Sequence, residues 1–400
     1  MFIKEVNPKV IKNSRGERTI KVELKTYKGK FISSAPSGKS TGIHEVPAYS
    51  RRGLIHSMKL ARILAERLQG KNFMIKDFEG LKEFENEIVK VENKFGKIGG
   101  NVRYVFHTVF LKAAAKENGK ELWQFIKEDS KKVKMPMPVG NCIGGGLHSK
   151  GKRPDFQEFL LIPDEKKFSR AITKNIRAYE LAKKELKKAH KEWKAKKNDE
   201  SAWQVPFSNE EVLEILSKVA REKNLRIGLD IAASSFYDKK KYYDYQNKKL
   251  IRDTEEQIDY VQRIIKKFEI FYIEDPLDEE DFSGFKKLNE DSKKGNYLIV
   301  GDDLTTTNLI RVRRAVRMNA MNAMIIKPNQ IGSLLEVKQV VDFCKKNKIK
   351  MIFSHRSGET LDVALSDYAV GFGADFVKMG IMGRERLVKH HRLIEIEKSL

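Results

Sequence analysis

Apolar and polar positions alternate through the first 45 residues, where TIKVEL and GKFISSA read as strands joined across a KTYKGK turn. A glycine-, serine- and threonine-rich loop, APSGKSTGIHE, follows them. From about residue 50 to 128 the apolar spacing becomes helical, as in HSMKLARILAERLQ and VFHTVFLKAAAKENGKELWQFI. The proline-punctuated run MPMPVGN at 135–141 marks the best boundary. Beyond it, short apolar runs alternate with amphipathic helices such as EQIDYVQRIIKKF to the end of the chain. The pattern predicts an α/β protein, with an N-terminal α+β domain over residues 1–132 and a parallel (β/α) barrel over 133–400.

Several apolar runs of the second part share one property: a charged side chain stands at the end. Asp230 closes IGLD, Glu274 closes FYIE, Asp302 follows LIVG and Lys327 closes MIIK. His355 and Arg356 follow MIFS, and Lys378 closes DFVK. Successive gaps are 44, 28, 25, 28 and 23 residues, and the four short ones match a single strand-plus-helix unit. The carboxyl ends of parallel barrel strands converge on one face, where the chemistry of such folds sits. Each residue has a plainer reading. An Asp at a strand end is commonly a helix N-cap, and a buried-strand lysine is commonly ion-paired or snorkelling. Three carboxylates at barrel spacing favour a hard divalent cation such as Mg²⁺, and the chain offers no Cys/His cluster for zinc. Nearby cations and partial burial are expected to lower the pKa of Lys327 and fit it to take a proton. Arg356 and Ser357 form a plausible phosphoester clamp. His148, in the glycine-rich NCIGGGLHS loop, is by itself only a turn residue.

Composition narrows the classes. With 40% hydrophobic and 34% charged residues the chain can bury a substantial core and is not disordered overall. No apolar stretch approaches the roughly 20 residues that span a bilayer, and no secretory signal is expected from the N-terminal sequence. Two cysteines, Cys142 and Cys344, argue against a disulfide framework and lead us to expect a cytoplasmic protein. The net charge of +24 admits a nucleic-acid partner. A lysine-rich solvated surface is favoured instead, because no aromatic platform accompanies the charge. The densest segment, AKKELKKAHKEWKAKK at 182–197, reads as an exposed helix with Leu181, Leu186 and Trp193 as its apolar stripe.

Together the segments SRGERTIKVEL, PSGKSTGIHE, GGGLHS, QEFLLIP, IGLDIAAS, IEDP, GDDLTTTN, KPNQIGS, SHRSGET, KMG and RERL resemble the enolase family almost end to end. That resemblance implies an enolase-type (β/α)8 barrel behind a capping domain with a mobile PSGKSTG loop. A Lys or His base working beside one or two Mg²⁺ ions is a known property of this superfamily rather than something the spacing reveals. The implied reaction is the reversible dehydration of 2-phosphoglycerate to phosphoenolpyruvate. Lys327 would remove the C2 proton, and Glu200 would protonate the departing 3-hydroxyl. Asp230, Glu274 and Asp302 would hold the first of two Mg²⁺ ions, with Ser40 contributing to the second. Arg356 and Ser357 would bind the phosphate and Lys378 the carboxylate. His148, Gln157, Glu158 and His355 would serve the catalytic centre, the first three on the leaving-group side. The resemblance also implies a homodimer or octamer, and no membrane.

The chain departs from the family pattern in places. Around the acid it reads Asn198, Asp199, Glu200, Ser201, Ala202 where the family has Gly-Asp-Glu-Gly-Gly, so the path that aims Glu200 is expected to change. The interval from His148 to Glu158 is one residue longer, Ser235 replaces a usual Glu, and the GIMGRER loop after Lys378 is about one residue shorter. Two alternatives stay open at this point. One is a divergent paralogue acting on another phosphorylated acid, and the other a basic nucleic-acid-binding protein on the same fold.

Overall fold

The computed structural model describes residues 1–39, 41–127, 133–238, 242–246 and 249–400. The chain opens with an antiparallel sheet of β1 (Glu5–Lys12), β2 (Arg18–Thr26) and β3 (Gly29–Ser34), in that spatial order. Helices α1 (Gly53–Leu68), α2 (Leu81–Phe95), α3 (Gly100–Glu117) and α4 (Leu122–Ile126) complete this part. The buried face of β2, carrying Ile20, Val22 and Leu24, packs with α3.

The second part contains β4 (Met137–Gly144), β5 (Glu158–Pro163), β6 (Trp203–Gln204), β7 (Leu225–Asp230), β8 (Tyr243–Tyr245) and β9 (Leu250–Arg252). It continues with β10 (Ile270–Glu274), β11 (Leu298–Gly301), β12 (Ala323–Ile326), β13 (Lys350–Ser354) and β14 (Phe376–Lys378). Its helices are α5 (Phe168–Ala189), α6 (Asn209–Lys223), α7 (Thr254–Phe268), α8 (Phe282–Gly295) and α9 (Leu309–Arg317). After them come α10 (Pro328–Ile331), α11 (Leu334–Lys346), α12 (Ala364–Gly371) and α13 (Arg384–Ser399). Strands close a barrel in the order β4-β5-β7-β10-β11-β12-β13-β14, with β14 pairing back onto β4. Its lumen is filled by Val139, Leu160, Ile162, Tyr272, Val300, Ala323, Ile325 and Ile352, all fully buried. Side chains on the outer strand faces join the helices in a larger core that extends into the N-terminal part. Local chemistry agrees with these elements: Ser208 and Asp253 cap α6 and α7 through reciprocal boxes with Glu211 and Glu256.

Two expectations need correction. The barrel is not uniformly parallel, because β5 runs antiparallel to both β4 and β7. A hairpin containing one 3-10 turn (Gly146–His148) but no α-helix links β4 to β5, so the start of β5 reaches the same rim as the ends of its neighbours. The lysine-rich helix ends at Ala189, eight residues before the predicted end at 197. Trp193 lies beyond it, buried, with its indole N–H donating to Gln204 O at 2.7 Å. No helix among the described residues is long and apolar enough to cross a membrane.

The start of α3 moors both ends of the 36–49 loop. Gly100 N and Asn101 N donate to Pro47 O and Ala48 O, and Asn101 Nδ2 donates to Pro36 O. This needs a close backbone approach at Gly99, whose φ is +95° and whose added Cβ would stand 2.4 Å from Tyr49 Cα. Gly99→Ala combines left-handed strain with a backbone clash, and the expected destabilisation is about 3 kcal/mol in a denaturant titration. An unchanged unfolding midpoint would contradict this account of the mooring.

Candidate active site

One cavity at the rim gathers most of the predicted residues: His148, Gln157, Glu158, Glu200, Asp230, Lys327, His355, Arg356, Ser357 and Lys378. Gly38 and Lys39 of the N-terminal loop also line it. Glu274 and Asp302 lie beside it, hydrogen-bonded to Lys378 and Lys327 respectively. Ser40 lies outside the described residues.

The carboxylate half sits on successive strands. Lys378 Nζ lies 2.7 Å from Asp230 Oδ2, 2.8 Å from Glu274 Oε2 and 3.5 Å from Glu158 Oε2. Burial pulls the Lys378 pKa down, yet Asp230, Glu158 and Glu274 drive it well above the ordinary value. Glu274 is fully buried, and burial together with the Asp230 charge pushes its carboxyl up to about 8. Its Oε1 has no partner, while its Oε2 also accepts from the Tyr272 hydroxyl at 2.6 Å. An all-oxygen set with an orphaned buried acceptor, and like-charge repulsion that Lys378 relieves only in part, fits a hard divalent cation. A tighter acidic group, Asp275, Asp302 and Asp303, shares only Asp302 with the predicted ligands. Asp275 has another task, since its two oxygens accept from Asp302 N and Asp303 N and so hold that backbone turn.

Lys327 directly follows β12 and precedes Pro328, which starts α10 at a position where its missing N–H costs nothing. Its ammonium contacts Asp302 Oδ2. Burial alone would depress its pKa, but the Asp302 charge outweighs burial and holds it above the ordinary lysine value. The expected lowering is therefore reversed in this structure, because the partner nearest the amine is a carboxylate rather than a cation.

The opposite half comes from β4, β5 and the loop before β6. His148, Glu158 and Glu200 bring ligand-type atoms within 4.8 Å of one another. His148 Nδ1 is 3.5 Å from Glu200 Oε1, and His355 Nε2 is 3.6 Å from Glu200 Oε2. Asn141 donates to Glu200 Oε2 at 3.0 Å. Burial, then the Glu200 charge, raises Glu158 well above the carboxylate range. Burial also works against ionisation of Glu200, but His148, His355 and Arg386 bring it well below that range. The opposed shifts favour one proton on the pair, resting towards Glu158, so Glu200 is the charged member here and the acid role implied for it needs that proton to pass from Glu158. Both histidines are pulled down by burial.

The loop that carries Glu200 is tightly held. Ser201 adopts φ +63° without being glycine. Asn198 Oδ1 accepts from Glu200 N and Ala202 N, both at 3.0 Å, and the Tyr179 hydroxyl donates to Ser201 O at 2.6 Å. Ala202 is fully buried. An asparagine turn and a tyrosine therefore fix the path around Glu200.

The clamp is engaged from the N-terminal part. Arg356 Nη2 donates to both oxygens of Glu45, at 3.0 and 2.9 Å, and Nη1 donates to Asn329 Oδ1 at 3.2 Å. Arg15 Nη1 donates to Ser357 Oγ at 2.5 Å. Lys39 Nζ pairs with Asp199 Oδ2 at 2.9 Å, joining the N-terminal loop to the acid loop. Buried Arg386 donates to Ser357 O at 3.0 Å and braces the clamp from behind. Reading the sequence missed Arg15, Glu45, Asn141, Tyr179 and Arg386 as site residues. Their one available signal was position: Arg15 and Arg386 lie inside the quoted SRGERTIKVEL and RERL segments, and Glu45 ends the glycine-rich loop.

Comparison with known proteins agrees along the whole chain. The family model described as "Enolase, N-terminal domain" matches residues 3–126, and "Enolase, C-terminal TIM barrel domain" matches residues 132–400. Proteins named Enolase from Methanosphaera stadtmanae and Methanothermobacter thermautotrophicus are 35% and 34% identical, each alignment covering 100% of this chain and 97% of the relative. The Enolase of Pyrobaculum aerophilum is 36% identical over 96% of this chain and 93% of its own length.

Proposed function

Since this chain belongs to the enolase family, and so to the hydro-lyases, we propose that it interconverts 2-phospho-D-glycerate and phosphoenolpyruvate in the cytoplasm, in glycolysis and gluconeogenesis. The observation that carries this reading is the placement of a lysine and a proton-holding carboxyl pair around one cavity. Lys327 follows β12 and Glu158 begins β5, four strands apart in the ring and thus on facing sides.

A C2 proton beside a carboxylate is very weakly acidic, because its loss places a second negative charge on that group. Lys327 takes this proton at Nζ. Lys378 sits against the substrate carboxylate and opposes the charge as it grows, and such preorganised charge acts strongly in a site that excludes water. Asp230, Glu274 and Asp302 would hold the first of the two Mg²⁺ ions of the family pattern, with Ser40 contributing to the second, and their chemistry would be to neutralise the developing dianion. Arg356 and Ser357 hold the phosphate, with Arg15 behind Ser357. On the far side Glu200, sharing a proton with Glu158, assists departure of the 3-hydroxyl, with His148, His355 and Gln157 shaping that wall. The 36–49 loop covers the site and limits water.

The direct test supplies 2-phosphoglycerate and follows the ultraviolet absorbance of the conjugated product. Turnover is expected with Mg²⁺, none after stripping with EDTA, and recovery when Mg²⁺ returns. A panel in which another phosphorylated 2-hydroxy acid turns over faster would overturn the substrate assignment. Homo-oligomerisation is part of the same proposal, and sedimentation at working concentration tests it.

A further inference from the structure

A large cavity lies far from this chemistry, at the amino-terminal end of the barrel strands. It is a groove of about 1100 Å³ where the last turns of α6, α7 and α8 meet the first residues of β7 and β10. Drug-sized ligands occupy roughly 300–1,000 Å³, so the space is ample for an organic molecule.

Two of its polar groups, on Arg226 and Ser217, lack a hydrogen-bond partner. Arg226, at the start of β7, lies over the Phe271 ring, 3.9 Å from its centroid. Its Nε is buried without a hydrogen-bond partner, and so is the hydroxyl of Ser217 on the same wall. No carboxylate among the described residues pairs with this guanidinium within 4.0 Å, and burial draws its pKa down against only the more distant charge of Asp164. An unpaired, half-buried cation is costly to keep. Three more cations, Arg221, Lys266 and Lys267, line the groove. They belong to the closing turns of α6 and α7, where cations also complement helix dipoles. Arg226 is on a strand and has no such role. Of the two acids present, Asp291 is already engaged by Gln262 at 3.0 Å, leaving Glu269.

We propose that this groove is a second binding site, for an organic anion carrying phosphate groups on an apolar body, of the nucleoside di- or triphosphate class. Arg226 and the lysines take the phosphates, and the wall of Phe271, Ile265 and Leu225 takes the body. The site stands on the opposite end of the barrel from the catalytic cavity and does not depend on the reaction proposed above.

Calorimetric titration of the full chain with ATP and with pyrophosphate tests it. ATP is expected to bind at sub-millimolar concentration, more tightly than pyrophosphate, and to bind equally well to Arg356→Ala, which disables the catalytic phosphate clamp. Arg226→Met keeps the packing on Phe271, and should weaken ATP at least tenfold without altering turnover of 2-phosphoglycerate. If Arg226→Met fails to fold, the Lys266→Glu, Lys267→Glu double variant decides by the same tenfold criterion. Absence of ATP binding, binding lost in Arg356→Ala, binding unchanged in the groove variants, or ATP no tighter than pyrophosphate would each overturn the assignment.

Discussion

Lys327→Ala is expected to lower kcat by about 10²–10⁴-fold or more, while the chain stays folded. That loss corresponds to about 2.7–5.5 kcal/mol of transition-state stabilisation. The residue is embedded at the end of β12, with its amine on Asp302 and its N–H on the Thr307 hydroxyl at 3.0 Å. Asp302 keeps the amine protonated, so Lys327 accepts a proton only once that carboxylate's charge is spent elsewhere. The two residues therefore act as a unit. An Asp302→Asn, Lys327→Ala double variant should lose little more than the worse single variant, because groups acting together are strongly non-additive. The sharpest readout is exchange of the substrate C2 hydrogen in deuterated water, which should vanish with Lys327. A Lys327→Ala protein with undiminished turnover would end the mechanism.

Glu200→Gln should be nearly as damaging to dehydration, about 10²–10⁴-fold in kcat, and for a different reason. Here the base is intact, so C2 hydrogen exchange should continue although product forms far more slowly. The amide keeps the shape and the Asn141 contact but removes the charge that raises Glu158. Glu158 then loses one cause of its elevated pKa, and the pH dependence of the residual rate should shift downward. If exchange and dehydration fell together in Glu200→Gln, separate base and acid residues could not be maintained.

The barrel and most of its site were legible because strand-plus-helix units are of similar length, so strand-end charges recur at similar intervals. That regularity carries no information on strand direction. EFLLIP reads the same whether it runs with or against its neighbours, and so the reversal of β5 was invisible. Distant pairings were equally hidden. Arg15 reaches Ser357 across 342 residues of chain, and Glu45 reaches Arg356 across 311. The direction of the Lys327 shift failed for the same reason, since it depends on which charge folding places beside the amine. The loop around Glu200 shows the opposite case. Its missing glycines were plain in the sequence, whereas the compensation by Asn198 and Tyr179 needed coordinates.

The reversal of β5 also means that the connection from His148 to Glu158 can take up a residue more without harm to register. The hairpin is zipped by Gly145 N donating to Gln157 O and Gly146 N to Pro154 O, at 2.9 and 3.0 Å. Lys150, Gly151 and Lys152 are exposed at its tip. A residue added inside a barrel helix would rotate everything after it by about 100°. Added at a hairpin tip it lengthens a solvated bend, at a small cost in closure entropy. The connection least like the rest of the barrel is thus its shock absorber: a change of chain length at this tip is taken up in solvent, away from the acid pair.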